Sequence, residues 1–165
     1  MRKKSHISLA RYIVNDMKIP VMTEHRKAFY LGSILPDCKP SFLTQRHEFD
    51  GTFDMVKERI RVLSEDSDLI VENGRVFMRR LGEVIHYIAD YFTYPHNCIY
   101  EGNLKDHCVY EEELKLRLRE YVRSGEAFRV RIDAKKFQTP EAVCCFIRKA
   151  HEEYLQMKHG VKEDC

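Results

Sequence analysis

The sequence lacks an excess of charge of one sign, an export signal and any long apolar run. Its 165 residues contain 28 Lys and Arg against 26 Asp and Glu, a formal net charge of only +2. This balance gives no support for a nucleic-acid partner. The first apolar stretch is interrupted at Arg11, Asn15 and Asp16, which leaves no signal-peptide core. No uncharged stretch is as long as a membrane span, so we expect a cytoplasmic protein without a transmembrane segment.

The sequence also lacks the paired cysteine spacing of a zinc finger. Its cysteines show no CxxC pattern: Cys38, Cys98, Cys108, Cys144, Cys145 and Cys165. Without an export signal these residues are expected to be reduced thiols, and no cysteine zinc site or disulfide framework is predicted.

What is present is the composition and periodicity of a helical protein. The chain is 44% apolar and 33% charged, with 7 Gly and 5 Pro, and its length suits one domain. We predict an all-α fold, a single domain over residues 1–165 with about six helices, near residues 5–17, 23–35, 50–63, 75–93, 107–123 and 139–157. The expected start and stop signals are Ser5, Thr23, Pro36, Asn73-Gly74, Asp106 and Thr139-Pro140. Residues 128–132 could be a short strand or an extended connection.

The fourth predicted helix carries the most informative polar residues. Its aliphatic positions lie along one face, and Glu83, His86 and Asp90 lie along the other at helical spacing. A His and an Asp four residues apart can both reach one metal ion. Glu83 could orient His86, or it could face solvent.

A second pair of the same kind follows. His107 and Glu111 repeat the four-residue spacing at the start of the next helix, and His96 lies between the two pairs, directly after Pro95. One such pair is often only an ion pair. Two pairs with a further His between them favour a metal centre. Three other histidines, His25, His151 and His159, have charged neighbours and are predicted to be solvated.

These residues give the chain a resemblance to a known family. The segment His86-Tyr-Ile-Ala-Asp90-Tyr-Phe-Thr-Tyr-Pro95-His96 and the segment His107-Cys-Val-Tyr-Glu111 resemble the motifs H-x3-D-x5-H and H-x3-E of the zinc-dependent phospholipase C family, which includes relatives of the S1/P1 nucleases. Upstream, Gly32-Ser-Ile-Leu-Pro36-Asp37 is similar to the family's Pro-Asp loop, His47 to the isolated His after it, and His6 to its first-helix His.

The resemblance implies a phospholipase C/P1 nuclease-like fold and a set of zinc ligands. One zinc would be held by Asp37, His47, His86 and Asp90, and a second by His96, His107 and Glu111. In the family a third zinc is shared by the bridging aspartate, here Asp90, the first-helix histidine, here His6, and the free amino terminus. The resemblance further implies a catalytic role for Asp37, which would orient or deprotonate water, and for Asp90.

The chain departs from the family at two points. Arg2 should oppose the removal of Met1, and His6 lies unusually close to the start of the sequence, so an amino-terminal ligand would need a different path. Cys38 stands where phosphatidylcholine-cleaving members tend to have an aromatic residue, so a choline cage is not predicted.

The resulting hypothesis is a zinc-dependent hydrolase of phosphoric esters. It would carry out phospholipase C-like phosphodiester cleavage with two or three zinc ions, and its substrate would be a phospholipid or a small phosphodiester. Fe or Mn could replace zinc, because His and carboxylate ligands suit all three metals. The alternatives are a noncatalytic helical binding domain stabilised by metal and an S1/P1-like nuclease.

Overall fold

The chain is described by a computed structural model over residues 1–38, 47–65, 67–127 and 137–165, with the side chains of 67–72 left aside. Across these ranges the chain forms seven α-helices and no strand: α1 (Lys3–Met17), α2 (Pro20–Glu24), α3 (Arg26–Gly32), α4 (Phe49–Glu65), α5 (Ser67–Tyr91), α6 (Leu104–Ser124) and α7 (Pro140–Tyr154). The predicted all-α fold is confirmed. Two short 3-10 turns, Pro36–Cys38 and Tyr94–His96, complete the described elements. The segment 128–132, left open as strand or connection, lies outside the described residues.

The helix count exceeds six because the second predicted helix is two helices. The backbone leaves the helical region at His25, with φ −100° and ψ 23°, between α2 and α3. The predicted cap Thr23 is wrong, because Pro20 starts α2 instead, as proline's fixed φ allows in a first turn. Ser5 is wrong as a cap too: α1 already begins at Lys3, and Ser5 is buried inside it.

Two further boundaries differ from prediction by a few residues. The cap of α6 is Asn103, whose side chain accepts hydrogen bonds from the backbone N–H groups of Lys105 and Asp106. The carboxylate of Asp106 accepts the N–H of Asn103 in return, so Asp106 belongs to a capping box and is not the cap itself. Asn73 is a kink inside α5, with φ −150° and ψ 66°, and not a turn between separate helices. The predicted start at Thr139-Pro140 is confirmed, since Thr139 Oγ1 accepts from Ala142 N at 3.2 Å.

Helix α5 contributes side chains to the apolar clusters on both of its sides. Val84, Tyr87 and Tyr91 pack with residues of α4 and α7, while Met78 packs with residues of α1, α2 and α3. A third cluster, Met1 with Leu114 and Leu118, joins the start of the chain to α6. None of the helices, over the part of the chain described, combines the length and apolar character needed to cross a bilayer.

Close contact between α3 and α5 depends on glycine. A Cβ atom added to Gly82 would lie 2.8 Å from the backbone nitrogen of Ser33 and would also overlap the carbonyl oxygen of Phe29. Gly32 faces the backbone of Arg79 in the same way. The two helix backbones therefore touch without intervening side chains, which brings the end of α3 next to the middle of α5.

Candidate metal centre

The fold brings all eight predicted site residues into one polar cluster. Short contacts between side chains link every member to at least one other: His6, Asp37, His47, His86, Asp90, His96, His107 and Glu111. They come from α1, the turn after α3, the residues just before α4, α5, the turn after α5, and α6. Their role as metal ligands remains a prediction.

Asp90 lies at the centre of the cluster and its two carboxylate oxygens face different partners. Oδ2 is 3.1 Å from His47 Nδ1 and 3.3 Å from His86 Nε2. Oδ1 faces the Met1 amino group at 2.6 Å and His6 Nε2 at 3.3 Å. Since the side chain is completely buried, each oxygen is committed to one side of the cluster, as a bridging carboxylate would be.

The Oδ2 side is completed by Asp37. Its Oδ1 atom lies 3.6 Å from His86 Nε2 and 3.8 Å from His47 Nδ1, and the two imidazoles approach to 3.1 Å. Asp37, His47, His86 and Asp90 are the four residues that the resemblance assigns to one zinc.

A second set lies where α6 meets the turn after α5. Glu111 Oε1 is 3.2 Å from His96 Nε2 and 3.2 Å from His107 Nε2. These three residues are half-buried, whereas the set around Asp90 Oδ2 is more fully enclosed. This set is therefore the more accessible of the two.

The amino group of Met1 lies within the cluster. From the sequence, an amino-terminal ligand was expected to need a chain path different from that of the family. It lies 2.6 Å from His96 Nε2 and 3.1 Å from Glu111 Oε1, in addition to its contact with Asp90. The early start of α1 explains the position, because His6 falls in the first turns of the helix and Met1 just precedes it. A third set of donors, Met1 with His6 and Asp90 Oδ1, is thus assembled.

The spacing of the donor atoms suits zinc. Tetrahedral ligands at about 2.05 Å from zinc stand roughly 3.3 Å apart, close to the 3.1–3.3 Å separations around Asp90 and Glu111. Three triads have donor atoms within 4.8 Å of one another: His6, Asp37 and His86; His47, His86 and Asp90; His96, His107 and Glu111. The buried Nε2 of His6 lies 3.3 Å from Asp90 Oδ1 without forming a well-oriented hydrogen bond to any described residue, so it can serve as a ligand atom.

The electrostatics of the cluster favour an ionised Asp90 carboxylate. Burial opposes its ionisation, but attraction to His96, the Met1 amino group, His6 and His86 outweighs that effect. The pKa of Asp90 is therefore held well below its usual range. Glu111 behaves similarly, since hydrogen bonds from His107 and His96 overcome burial and lower its pKa.

Burial disfavours the charged form of the two histidines that face Asp90 Oδ1. Burial lowers the pKa of His6 to about 3 and also lowers the pKa of His96. A neutral imidazole is the form that binds a metal. His86 differs: burial lowers its pKa, but the carboxylates of Asp90 and Asp37 attract its charged form and raise the pKa overall.

His86 is oriented by a residue that the sequence did not identify. Its Nδ1 lies 2.8 Å from the carbonyl oxygen of Ser33, an acceptor that fixes which ring nitrogen faces Asp90. Glu83 neither orients His86 nor faces solvent: it is buried and pairs with Arg59 at 3.3 Å. Any residue type can supply a backbone carbonyl, so the sequence alone could not identify Ser33. Its contact with His86 depends on the close approach of α3 to α5.

The prediction that His151 is a solvated surface residue is wrong. Its ring stacks on Phe49 with centroids 4.1 Å apart, and Nε2 lies 2.7 Å from Asn97 Oδ1. The amide of Asn97 donates to the carbonyls of Tyr91 and Thr93 at the end of α5. This buried network fixes the turn that carries His96.

Asp164 holds the same turn from the other side. Its carboxylate accepts hydrogen bonds from the Tyr94 backbone N–H at 2.8 Å and from the hydroxyls of Tyr110 and Tyr154 at 2.7 Å each. The last residues of the sequence are therefore attached to the turn before His96. Nothing in the spacing of the motifs pointed to this residue.

A cleft of about 530 Å³ opens beside the cluster. Two predicted ligands from the second set, His96 and His107, line it together with His47. Tyr100 and the largely exposed Leu104 also border it. A molecule in this cleft would lie directly beside the side chains of His96 and His107.

Comparison with known proteins agrees with the geometry. The family model described as zinc dependent phospholipase C matches residues 5–162, nearly the whole chain. Searches of curated proteins and of solved structures found no match to the chain. All eight residues of the cluster lie within the matched range, from His6 to Glu111. The chain therefore belongs to the zinc-dependent phospholipase C family.

Proposed function

We propose that the protein hydrolyses phosphoric esters by phospholipase C-like phosphodiester cleavage at a cluster of two or three zinc ions. The observation that supports this most is the buried Asp90 carboxylate, whose two oxygens serve separate sets of donors. A structural zinc has four protein ligands, whereas the set of His96, His107 and Glu111 offers three and borders the cleft. Asp90 could therefore serve two ions at once beside the open cleft, as a multinuclear hydrolase would require.

The residues of the cluster would have different roles in this reaction. Zinc held by the three donor sets would supply Lewis-acid stabilisation of the phosphoryl oxygens and lower the pKa of water. Asp90 and the histidines around it would position the ions, and the half-buried set at Glu111 would face the substrate in the cleft.

Asp37 is our candidate for the general base. Burial raises the pKa of its carboxyl, which strengthens it as a proton acceptor near neutral pH. Its Oδ1 atom contacts His86 and His47 at distances longer than those made by Asp90. Asp37 is therefore the more loosely held carboxylate and can orient water and accept its proton.

The proposed activity is tested by combining elemental analysis with a hydrolysis screen. Purified protein should contain at least two equivalents of zinc and should cleave a phosphodiester or phospholipid, and a chelator should abolish turnover until zinc is added back. Iron or manganese in place of zinc would revise the metal. Bound metal without hydrolysis of any phosphodiester, phospholipid or nucleic acid would instead support a noncatalytic metal-stabilised domain.

The position of the Met1 amino group gives a separate prediction. In protein that begins at Met1, this group contacts Asp90, His96 and Glu111. A Gly-Ser extension before Met1 replaces the amino group with an amide that cannot ligate metal. We expect the extended protein to bind one zinc equivalent fewer, measured by elemental analysis beside protein whose start is verified by intact mass.

The matched control is the same dipeptide added after Cys165. This addition should leave the zinc content unchanged. Equal zinc content in all three proteins would contradict a ligand role for the amino group.

A further inference from the structure

A groove between α1 and α6 carries a concentration of positive charge that the metal centre does not use. It encloses about 430 Å³ and is lined by Lys3, Lys4, Ile7, Ser8, Arg11, Lys115, Leu116 and Arg119. We call it the α1–α6 groove. Five of these eight residues are cationic and none is acidic, in a chain whose formal net charge is only +2.

Most of these cations are not neutralised by the protein. Lys115 pairs with Glu112, which also pairs with Arg2. Lys3, Lys4, Arg11 and Arg119 are exposed and form no ion pair with any residue that the structure describes. A solvated cluster of like charges raises the local positive potential, and an anionic partner would relieve the repulsion.

The groove also contains an apolar residue that the protein does not cover. Leu116 is 57% exposed and lies among the cations on the surface of α6. Exposed leucine flanked by Lys and Arg is the combination by which helices bind at a lipid interface, where the cations meet phosphate and the apolar side chain enters the acyl boundary.

The groove lies on the two helices that build much of the metal centre. Lys3 and Lys4 stand between Met1 and His6, whose nitrogen atoms both face Asp90. The other wall belongs to α6, which supplies His107 and Glu111. A surface bound in the groove would therefore contact two helices that also carry residues of the donor cluster.

We propose that the α1–α6 groove docks the protein on an anionic phospholipid surface. The lipid phosphates would contact the four unpaired cations, and Leu116 would enter the interface. This docking deepens the proposed function by bringing the protein to a phospholipid surface, but it does not require turnover. Binding and hydrolysis can therefore fail separately.

The test measures binding to sedimented vesicles of phosphatidylcholine alone and of phosphatidylcholine mixed with phosphatidylglycerol. The unmodified protein should bind the mixed vesicles more tightly, and salt should weaken the binding. The triple variant Lys4→Glu, Arg11→Glu, Arg119→Glu should bind them at least about tenfold more weakly, because each cation near an anionic leaflet contributes about 1 kcal/mol.

A second basic surface provides the matched control. Arg26, Lys27 and Arg75 are exposed and line a different cleft, between α3 and α5. Their triple replacement with Glu changes the total charge equally and should leave most of the vesicle binding intact. Equal losses in the two triple variants would mean that only total charge matters and would overturn the assignment to the groove.

A neutral substitution separates the apolar contribution from charge. Leu116→Ser should weaken binding to mixed vesicles at high salt, whereas Leu31→Ser, at another exposed leucine, should not. Hydrolysis of a soluble phosphodiester is measured for every variant and should stay at the unmodified level. The docking proposal fails if the protein does not prefer anionic vesicles, or if it binds duplex DNA more tightly than vesicles.

Discussion

Replacing Asp90 with Asn is expected to disrupt two donor sets at once. The change keeps the shape of the side chain but removes its negative charge. Both carboxylate oxygens lose that charge, and their contacts are with Met1, His6, His47 and His86. Zinc content should fall by more than one equivalent. Turnover should fall at least about a hundredfold, because metal-ion charge stabilisation contributes several kcal/mol to such a reaction.

Asp54→Asn is the control for this experiment. Asp54 lies on α4 with its side chain 92% exposed and contacts only Lys57 among the described ion pairs. This variant should keep the zinc content and turnover of the unmodified protein. Circular dichroism establishes that Asp90→Asn retains its helices, and a folded variant with full zinc content and full turnover would refute the bridging assignment.

Replacing Gly82 with Ala is expected to separate α3 from α5. The new methyl group would meet the Phe29 carbonyl and the Ser33 backbone, neither of which can rotate away as a side chain could. Overpacking of this kind costs about 1–3 kcal/mol. We expect denaturant titration to show a loss of that size, together with weaker zinc binding, because Ser33 would move relative to His86.

Gly51→Ala is the matched control, since Gly51 lies in the first turn of α4 and a Cβ atom there would meet nothing within 4 Å. Alanine is favoured over glycine in a helix by roughly 0.5–1 kcal/mol. This variant should be as stable as the unmodified protein or slightly more stable. Equal stability of the two alanine variants would show that the contact between α3 and α5 accepts a methyl group at residue 82, contrary to this prediction.

The sequence was informative where chemistry follows a fixed local spacing. His86 with Asp90, and His107 with Glu111, share a helix face whatever the rest of the fold does, so four residues of spacing were enough to pair them. The Thr139-Pro140 start of α7 is equally local. Asp37 and His47 are separated from these helices in the chain, and only the family resemblance placed them.

The sequence was less informative where tertiary contacts decide. The polar neighbours of His151 suggested solvent, but α7 turns that face against Phe49 and Asn97. Glu83 lies on the same face of α5 as His86, yet Arg59 on α4 pairs with it. The place of the Met1 amino group depended on where α1 begins, and a difference of two residues in that boundary changes what the amino group can reach.

The hydrogen bonds of Asp164 link two parts of the molecule that are far apart in sequence. Because this carboxylate accepts the Tyr94 N–H, we expect an ion bound by His96 to stabilise the segment that follows α7. Release of that segment should then weaken binding of the ion by the same free energy. We therefore expect added zinc to increase the protection of residues near Asp164 from amide hydrogen exchange, although His96 is distant from them in the sequence.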